Sequence, residues 1–257
     1  MLKVMTFNIR YRNASDGLDS WPKRRHLAIQ AVRDCSPHIV GLQEALDFQL
    51  EYMASEMHSF GSVGVGRDDG RRGGEHAAIL YCLERCECLE SGTFWFSDTP
   101  QFPGSKSWGN TLPRICTWAR FRDLVEGHTF HVFNVHWDHV SQRSRELSAG
   151  LLLSEMKRLA GDDARTIVTG DFNVPPDNPA FTPLLSSDTG LKDTLSESVS
   201  VDGSQGTFHE FSGKVDGARI DAVLCSEAWS ILSAEIVTYH VGQSYPSDHF
   251  PVLTTLE

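Results

Sequence analysis

The sequence is short of the features that mark several protein classes. Six cysteines in 257 residues are sparse for a disulfide scaffold. Three of them, Cys82, Cys86 and Cys88, crowd into "YCLERCECLE" without the paired spacing that zinc sites favour. They read as small apolar fillers in and after a strand, in a reducing compartment. No window approaches the roughly 20 apolar residues of a membrane span. The start, "MLKVMTFNIR", has no extended apolar stretch leading to a small-residue cleavage site. A cytoplasmic protein without a membrane span is the expectation. Positive charge is scarce as well: 23 Lys and Arg face 34 Asp and Glu, a net of −11. Non-specific grip on nucleic acid comes largely from neutralising phosphates, so this balance disfavours it. Lysine is the scarcer cation, 6 against 17 arginines. The arginine fork suits phosphate or carboxylate, although coding base composition produces the same bias.

What is present is an ordinary globular composition, 40% hydrophobic and 22% charged, in a length that suits one large domain or two small ones. Strand-like and helix-like segments alternate. "KVMTFNI" has period 2 and predicts a strand; "WPKRRHLAIQAVRDC" sets Leu27, Ala28, Ala31, Val32 and Cys35 on one helical face. "HIVGLQEA" predicts a second strand ending at Glu44, with Asp47 capping the helix that follows. "AAILYC", "TWARFRD", "HTFHVFNVHW", "ARTIVTGDFN", "ARIDAVLC", "AEIVTYHV" and "FPVLTTL" are further strands. A helix over 142–159 is expected from the recurrence of Leu147, Leu151, Met156 and Leu159. Segments 61–74 and 186–206 read as long loops, neither separating two self-sufficient halves. One domain over 1–257 follows, with two packed sheets covered by helices.

Polar residues recur at the strand ends. Asn8 ends the first strand and Glu44 the second; His136 and Asp138 follow in "FNVHWDH". Asp171 and Asn173 stand in "TGDFNVPPD", Asp221 in "ARIDAVL", and Asp248 and His249 in "PSDHFPV". Each has a local explanation as a turn residue, a cap or a satisfied core histidine. Separate local explanations do not account for one repertoire of acids, amides and imidazoles at the same kind of position. Gathered at one sheet edge, Glu44, Asp171 and Asp248 would repel unless a proton or cation compensates. Oxygen donors without thiolate point to Mg²⁺, with Mn²⁺ as a substitute. The chemistry that fits is attack of water on phosphorus.

The set "TFNIR", "GLQEA", "NVHWDH", "TGDFN", "RIDAVL" and "SDHFPV", in this order from Thr6 to Val252, resembles the endonuclease/exonuclease/phosphatase superfamily. The resemblance implies an α/β fold: a four-layered sandwich of two packed, mostly antiparallel sheets flanked by helices. It implies Glu44 as principal metal ligand with Asn8 and Asp248 near the ion. Asp171, held by Asn173, would orient or deprotonate the attacking water. His136, and His249 fixed by Asp221, would hydrogen-bond the phosphoryl oxygens. The abasic-site endonucleases of that superfamily carry an acid where Arg10 stands here, which argues against a repair enzyme. Arg10 suits an extra anionic group on the substrate, and "GSKSWGNTLPRICTWAR" and "GRDDGRRGGEHAAI" resemble a compact bacterial branch, making Arg114 and His76 candidate substrate contacts. A Mg²⁺-dependent phosphoesterase for a small phosphorylated metabolite is the leading expectation. A nuclease or poly(A) deadenylase is the alternative, and an inactive binding module a third; no protein partner is indicated.

Overall fold

A computed structural model describes residues 1–162, 164–198 and 205–257. In chain order its strands are β1 (Leu2–Asn8), β2 (Ile39–Gln43), β3 (Ala45–Leu46), β4 (Phe60–Val63), β5 (Glu75–His76), β6 (Ile79–Cys82) and β7 (Cys86–Trp95). There follow β8 (Ile115–Asp123), β9 (Thr129–His136), β10 (Thr166–Asp171), β11 (Leu191–Asp193), β12 (Asp221–Ser226), β13 (Ile231–Ile236) and β14 (Val252–Leu256). The helices are α1 (Trp21–Cys35), α2 (Asp47–Glu56), α3 (Gln142–Ala160) and the single turn α4 (Thr194–Glu197).

Two six-stranded sheets result, ordered β13-β14-β1-β2-β6-β4 and β11-β12-β10-β9-β8-β7, beside a small β3-β5 ribbon. Each large sheet has one parallel pairing, β1 with β2 and β9 with β10, and is otherwise antiparallel. Successive strand residues face opposite sides, and this alternation builds the layers. Leu2, Val4 and Ile39 of the first sheet meet Phe121, Phe130, Val132, Ile167 and Val223 of the second. On the outer side, Met5, Phe7, Val40 and Leu42 pack on Ala28, Ile29 and Val32 of α1 and Met53 of α2. Beyond the second sheet, Phe133, Val135, Val168 and Leu224 pack on Ala149, Leu152 and Met156 of α3. Each of the larger of these buried side chains, Val, Ile, Leu, Phe or Met, contributes about 1.5–3 kcal/mol. The layers are helices, sheet, sheet, helix.

Toward one edge the contact between the sheets turns polar. Thr6, Gln43, Asn134 and Thr169 are fully buried. Gln43 donates to Thr6 Oγ1 at 3.0 Å and Asn134 Oδ1 at 2.6 Å, and Thr169 donates to the same Oδ1 at 3.0 Å. Asn134 donates in turn to the carbonyls of Leu42 and Ala78. Gly41 makes room for this knot, since a Cβ there would collide with the Thr169 and Asn134 side chains. A satisfied buried network rigidifies its surroundings. Here it ties β1, β2, β9 and β10 together at or within two residues of their ends.

Several expectations need correction. Asp47 does not cap α2: Leu46 holds the cap position, its N–H donating to Gln49, while Asp47 pairs with Arg72. The last segment before β14 is strand only over Ile231–Ile236, because its ladder with β14 ends at the pair Ile236 and Val252; beyond one bond from Val237 N to the Pro251 carbonyl the chain turns back on itself at Val241 and Ser244. Ten residues of β7 went unread, since this edge strand is only half buried and lacks clean alternation. The loop expected at 61–74 begins inside β4. Its counterpart at 186–206 contains β11 and α4, and its residues 199–204 lie outside the described residues. The buried face of α3 centres on Ala149, Leu152 and Met156, leaving Leu147 exposed. No helix among the described residues is long and apolar enough to cross a membrane.

Candidate active site

Register brings the polar strand ends together. In the parallel β1/β2 pair Asn8 lies beside Gln43, so Glu44 is the next residue out. In the parallel β9/β10 pair Asp171 lies beside His136. Strand β12 runs antiparallel to β10, so Asp221, its first residue, faces Asp171. Strand β14 runs antiparallel to β1, which puts the preceding Asp248 and His249 at the same edge. The chain then turns sharply: Arg10, Glu44 and Asn173 have φ of 55°, 61° and 54°. Such left-handed conformations cost about 1 kcal/mol or more each outside glycine. Side chains hold them in place. Asn8 Oδ1 accepts from Arg10 N at 2.9 Å, Glu44 Oε2 from Tyr11 N at 3.0 Å, and Asp171 Oδ1 from Asn173 N at 2.9 Å.

These residues line a cavity of about 640 Å³ whose wall includes Arg10, Glu44, Arg114, His136, Asp171, Asn173, Asp248 and His249. Asn8 lies behind it, fully buried, its amide donating to Asp171 Oδ2 at 2.9 Å and Glu44 Oε1 at 3.3 Å. Its oxygen is engaged by Arg10, so Asn8 bridges the two acids. Asn173 donates to the Trp137 carbonyl at 3.0 Å, fixing the turn after β10. His249 Nδ1 meets Asp221 Oδ2 at 2.8 Å, while its Nε2 lies 3.9 Å from Asp171 Oδ2. His136 Nε2 approaches the same Asp171 oxygen at 3.7 Å. Asp171, Asp221 and His249 set one donor atom each within 4.8 Å of one another.

The model of the Endonuclease/Exonuclease/phosphatase family matches residues 5–249, spanning every one of these positions. This chain belongs to that family. Its members are phosphoesterases, hydrolases acting on phosphate esters. A Bacteroides vulgatus endonuclease/exonuclease/phosphatase is 35% identical, with TM-score 0.94 over 100% of this chain and 98% of its own. A Bacteroides thetaiotaomicron mannosyl-6-phosphatase is also 35% identical, with TM-score 0.94 and 100% of both chains covered. The catalytic domain of human Nocturnin shares the fold at TM-score 0.79 and 18% identity, over 100% of this chain and 93% of its own. No curated protein sequence matches the chain.

In this endonuclease/exonuclease/phosphatase site the two histidines differ in charge. Burial works against the imidazolium of His249, but the charge and hydrogen bond of Asp221, then Asp171 and Asp248, outweigh it and raise its pKa to about 10. For His136 burial comes first and the cations Arg114 and Arg67 reinforce it, so the ring is held neutral, well below its ordinary range. Asp171 is pushed up to about 7, by burial and then by the Asp221 charge. The site thus pairs a cationic and a neutral imidazole around a carboxyl that titrates near neutrality.

Of the expected substrate contacts, Arg10 and Arg114 line the cavity and His76 does not. His76 is buried in the β3/β5 ribbon with Nδ1 3.1 Å from the Ala45 carbonyl, bracing the segment after Glu44. Sequence reasoning missed Arg67 and Glu75, a bidentate pair at 2.6 and 2.9 Å, and also Tyr11, Asp16, His139, Phe208 and Phe211 in the wall. The charge-dense "GRDDGRRGGEH" was visible, but not which of its charges would reach the cavity.

Proposed function

We propose that this chain is a divalent-metal-dependent phosphatase for a small, singly phosphorylated and otherwise neutral metabolite, a sugar phosphate being the class most in keeping with its surroundings. The observation that carries this reading is the state of the cavity's arginines. Arg10 holds Asp16 at 3.1 Å, Arg67 holds Glu75, and Arg114 lies 3.5 Å from Asp138 and 2.7 Å from His139. Around Arg10 the carboxylates of Asp16, Glu44 and Asp248 would repel a second anionic group, so Arg10 is poorly placed to take an extra phosphate, and the unpartnered Nη1 of Arg114 is left for a single one. A volume of about 640 Å³ suits a monosaccharide-sized ligand. The mannosyl-6-phosphatase at 35% identity supports the same class. Nothing in the cavity favours a long nucleic acid strand.

The donor set suits a hard divalent cation such as Mg²⁺ or Mn²⁺. Glu44 and Asp248 turn oxygens toward one guanidinium, that of Arg10, at 4.0 and 3.7 Å, so both carboxylates already converge on a single positive charge. The Asp171–Asp221–His249 cluster has its own cation, the His249 imidazolium, and is the weaker choice. Glu44 and Asp248 would therefore hold the metal, with Asn8 orienting Glu44. Bound there, a divalent ion would draw charge from the phosphoryl oxygens and favour the ionised form of Asp171.

Asp171, fixed by Asn8 and Asn173, takes a proton from water as the water oxygen bonds to phosphorus. Charge builds on the phosphoryl oxygens while the bond to the ester oxygen breaks, and the leaving oxygen takes a proton from solvent water and departs as an alcohol. His249, cationic and held by Asp221, donates to those oxygens, and neutral His136 donates through a ring N–H. Phosphate release from hexose phosphates, glycerol phosphate, sugar bisphosphates and oligonucleotides, each with Mg²⁺, tests the reading. Hexose or polyol monophosphates should lead. Efficient degradation of an oligonucleotide, or preference for bisphosphates, would contradict it.

A further inference from the structure

Arginine is almost never fully buried without a charged partner, yet Arg24, in the first turn of α1, is 2% exposed and sends all of its hydrogen bonds to main-chain oxygens. Nε donates to the Asp19 carbonyl at 2.7 Å and Nη2 to the Arg10 carbonyl at 2.8 Å. Nη1 donates to two carbonyls at once, Ile9 at 2.6 Å and Pro246 at 2.8 Å. Four of its five N–H groups are thus engaged. The guanidinium also stands over two rings, Trp21 at 5.3 Å and Phe211, a cavity-wall residue, at 5.5 Å.

The segments it joins are those that carry the site. The ladder between β1 and β14 ends at the pair Thr6 and Val252. Beyond that point the two chains continue to Asn8 and Arg10 on one side and to Asp248 and His249 on the other, with no sheet bonds between them. Short links span the gap among the described residues: Ser247 Oγ donates to the Asn8 carbonyl at 2.6 Å, Arg10 Nε lies 3.7 Å from Asp248 Oδ2, and Arg24 Nη1 bridges Ile9 and Pro246. Asn8 in turn holds Asp171 and Glu44. The spacing between Asp171 and His249 therefore depends on how these two unladdered segments are pinned.

We infer that Arg24 is a positioning residue: its planar fork replaces the missing ladder between the Asn8–Arg10 and Pro246–His249 segments and so sets the geometry of Asp171 against His249. Lysine keeps the charge but offers a point ammonium that cannot span four carbonyls arranged around a plane. Misplacing a catalytic group by about 1 Å can cost on the order of 10²-fold in rate.

The test compares Arg24→Lys with Ile29→Val, a substitution in the same helix whose side chain packs in the outer core away from the cavity. Melting temperature, kcat and KM on p-nitrophenyl phosphate with Mg²⁺, and the ¹⁵N-histidine spectrum with the His249 ring signals assigned are measured for each. Arg24→Lys should lower kcat by at least about tenfold with KM within about threefold, and should move the His249 signals. Ile29→Val should lose melting temperature only. Wild-type kcat and unmoved His249 signals in a folded Arg24→Lys protein would overturn the assignment. If the stranded ammonium prevents folding, Arg24→Gln, which buries no charge, is judged by the same criteria; failure of both to fold would make Arg24 a fold determinant and overturn its positioning role. The kinetic arm rests on the proposed phosphatase reading. If the wild type releases no phosphate from any ester, that reading fails, and the His249 signals alone decide the place of Arg24.

Discussion

Replacing Asp221 by Asn probes the charge state of His249 directly. Asp221 Oδ2 and His249 Nδ1 lie 2.8 Å apart, both buried. At an effective dielectric of about 20, opposite charges at this range attract by roughly 5–6 kcal/mol. A pKa moves by about one for each 1.36 kcal/mol. Burial opposes this attraction and Asp171 and Asp248 assist it, the net result being a His249 pKa of about 10. Asparagine leaves an acceptor for the ring N–H but removes the charge, and the two other acids stay. The pKa of His249 should then fall by at least about two pH units. If the imidazolium is the active form, kcat against pH at saturating Mg²⁺ should show a wild-type alkaline limb where His249 loses its proton, above its ordinary 6.5. In Asp221→Asn that limb should move down toward neutrality, with a modest loss below it. Coincident alkaline limbs in the two proteins would refute the reasoning, because His249 would then owe its proton to something other than Asp221.

Asp171→Asn should lower kcat by about 10²–10⁴ if general-base catalysis is the missing contribution, while calorimetry should show an unchanged or higher melting temperature, since an uncharged amide replaces a buried acid. Without metal, stability should decline as pH rises above 6.5, because the shifts of Asp171 and His249 are upward, while the downward shift of His136 opposes them only below that point. The Asp171 contribution is complete below its ordinary 3.8 and lost through about 7, and that of His249 is complete below 6.5 and lost through about 10. Melting temperatures that rise steadily above pH 6.5 would contradict those assignments. Gly41→Ala should destabilise by about 1–3 kcal/mol in urea melts, because its methyl group enters the Thr169–Asn134 knot.

The strand ends were legible because two signals coincide there. A strand-like run, with period 2 in the first, leads into Asn8, Glu44, His136 and Asp171, and each run stops at a polar residue. The family motifs then joined positions more than a hundred residues apart. What stayed hidden depends on tertiary pairing. Arg67 sits in a glycine-rich loop and Glu75 in β5 at its end, and only the fold decides that they bind each other in the cavity wall. His76 reads as a substrate contact because nothing local reveals that its ring faces the Ala45 carbonyl. Phe208 and Phe211 lie in a segment with little periodicity, brought to the cavity by hydrogen bonds from Phe250 N to the Thr207 carbonyl and from His209 N to the Asp248 carbonyl. Nothing in the sequence singles out Arg24. Its partners are backbone oxygens, and sequence patterns carry no trace of those.

The central claim is that the acids at this sheet edge hold a divalent cation over a small phosphate ester. Phosphate release from a hexose monophosphate, before and after exhaustive EDTA treatment and again after adding Mg²⁺ or Mn²⁺, tests it most directly. Turnover should vanish with the chelator and return with the metal in the wild type, and Glu44→Gln should need far more metal for whatever activity it regains. Wild-type turnover that survives complete chelation would contradict the account.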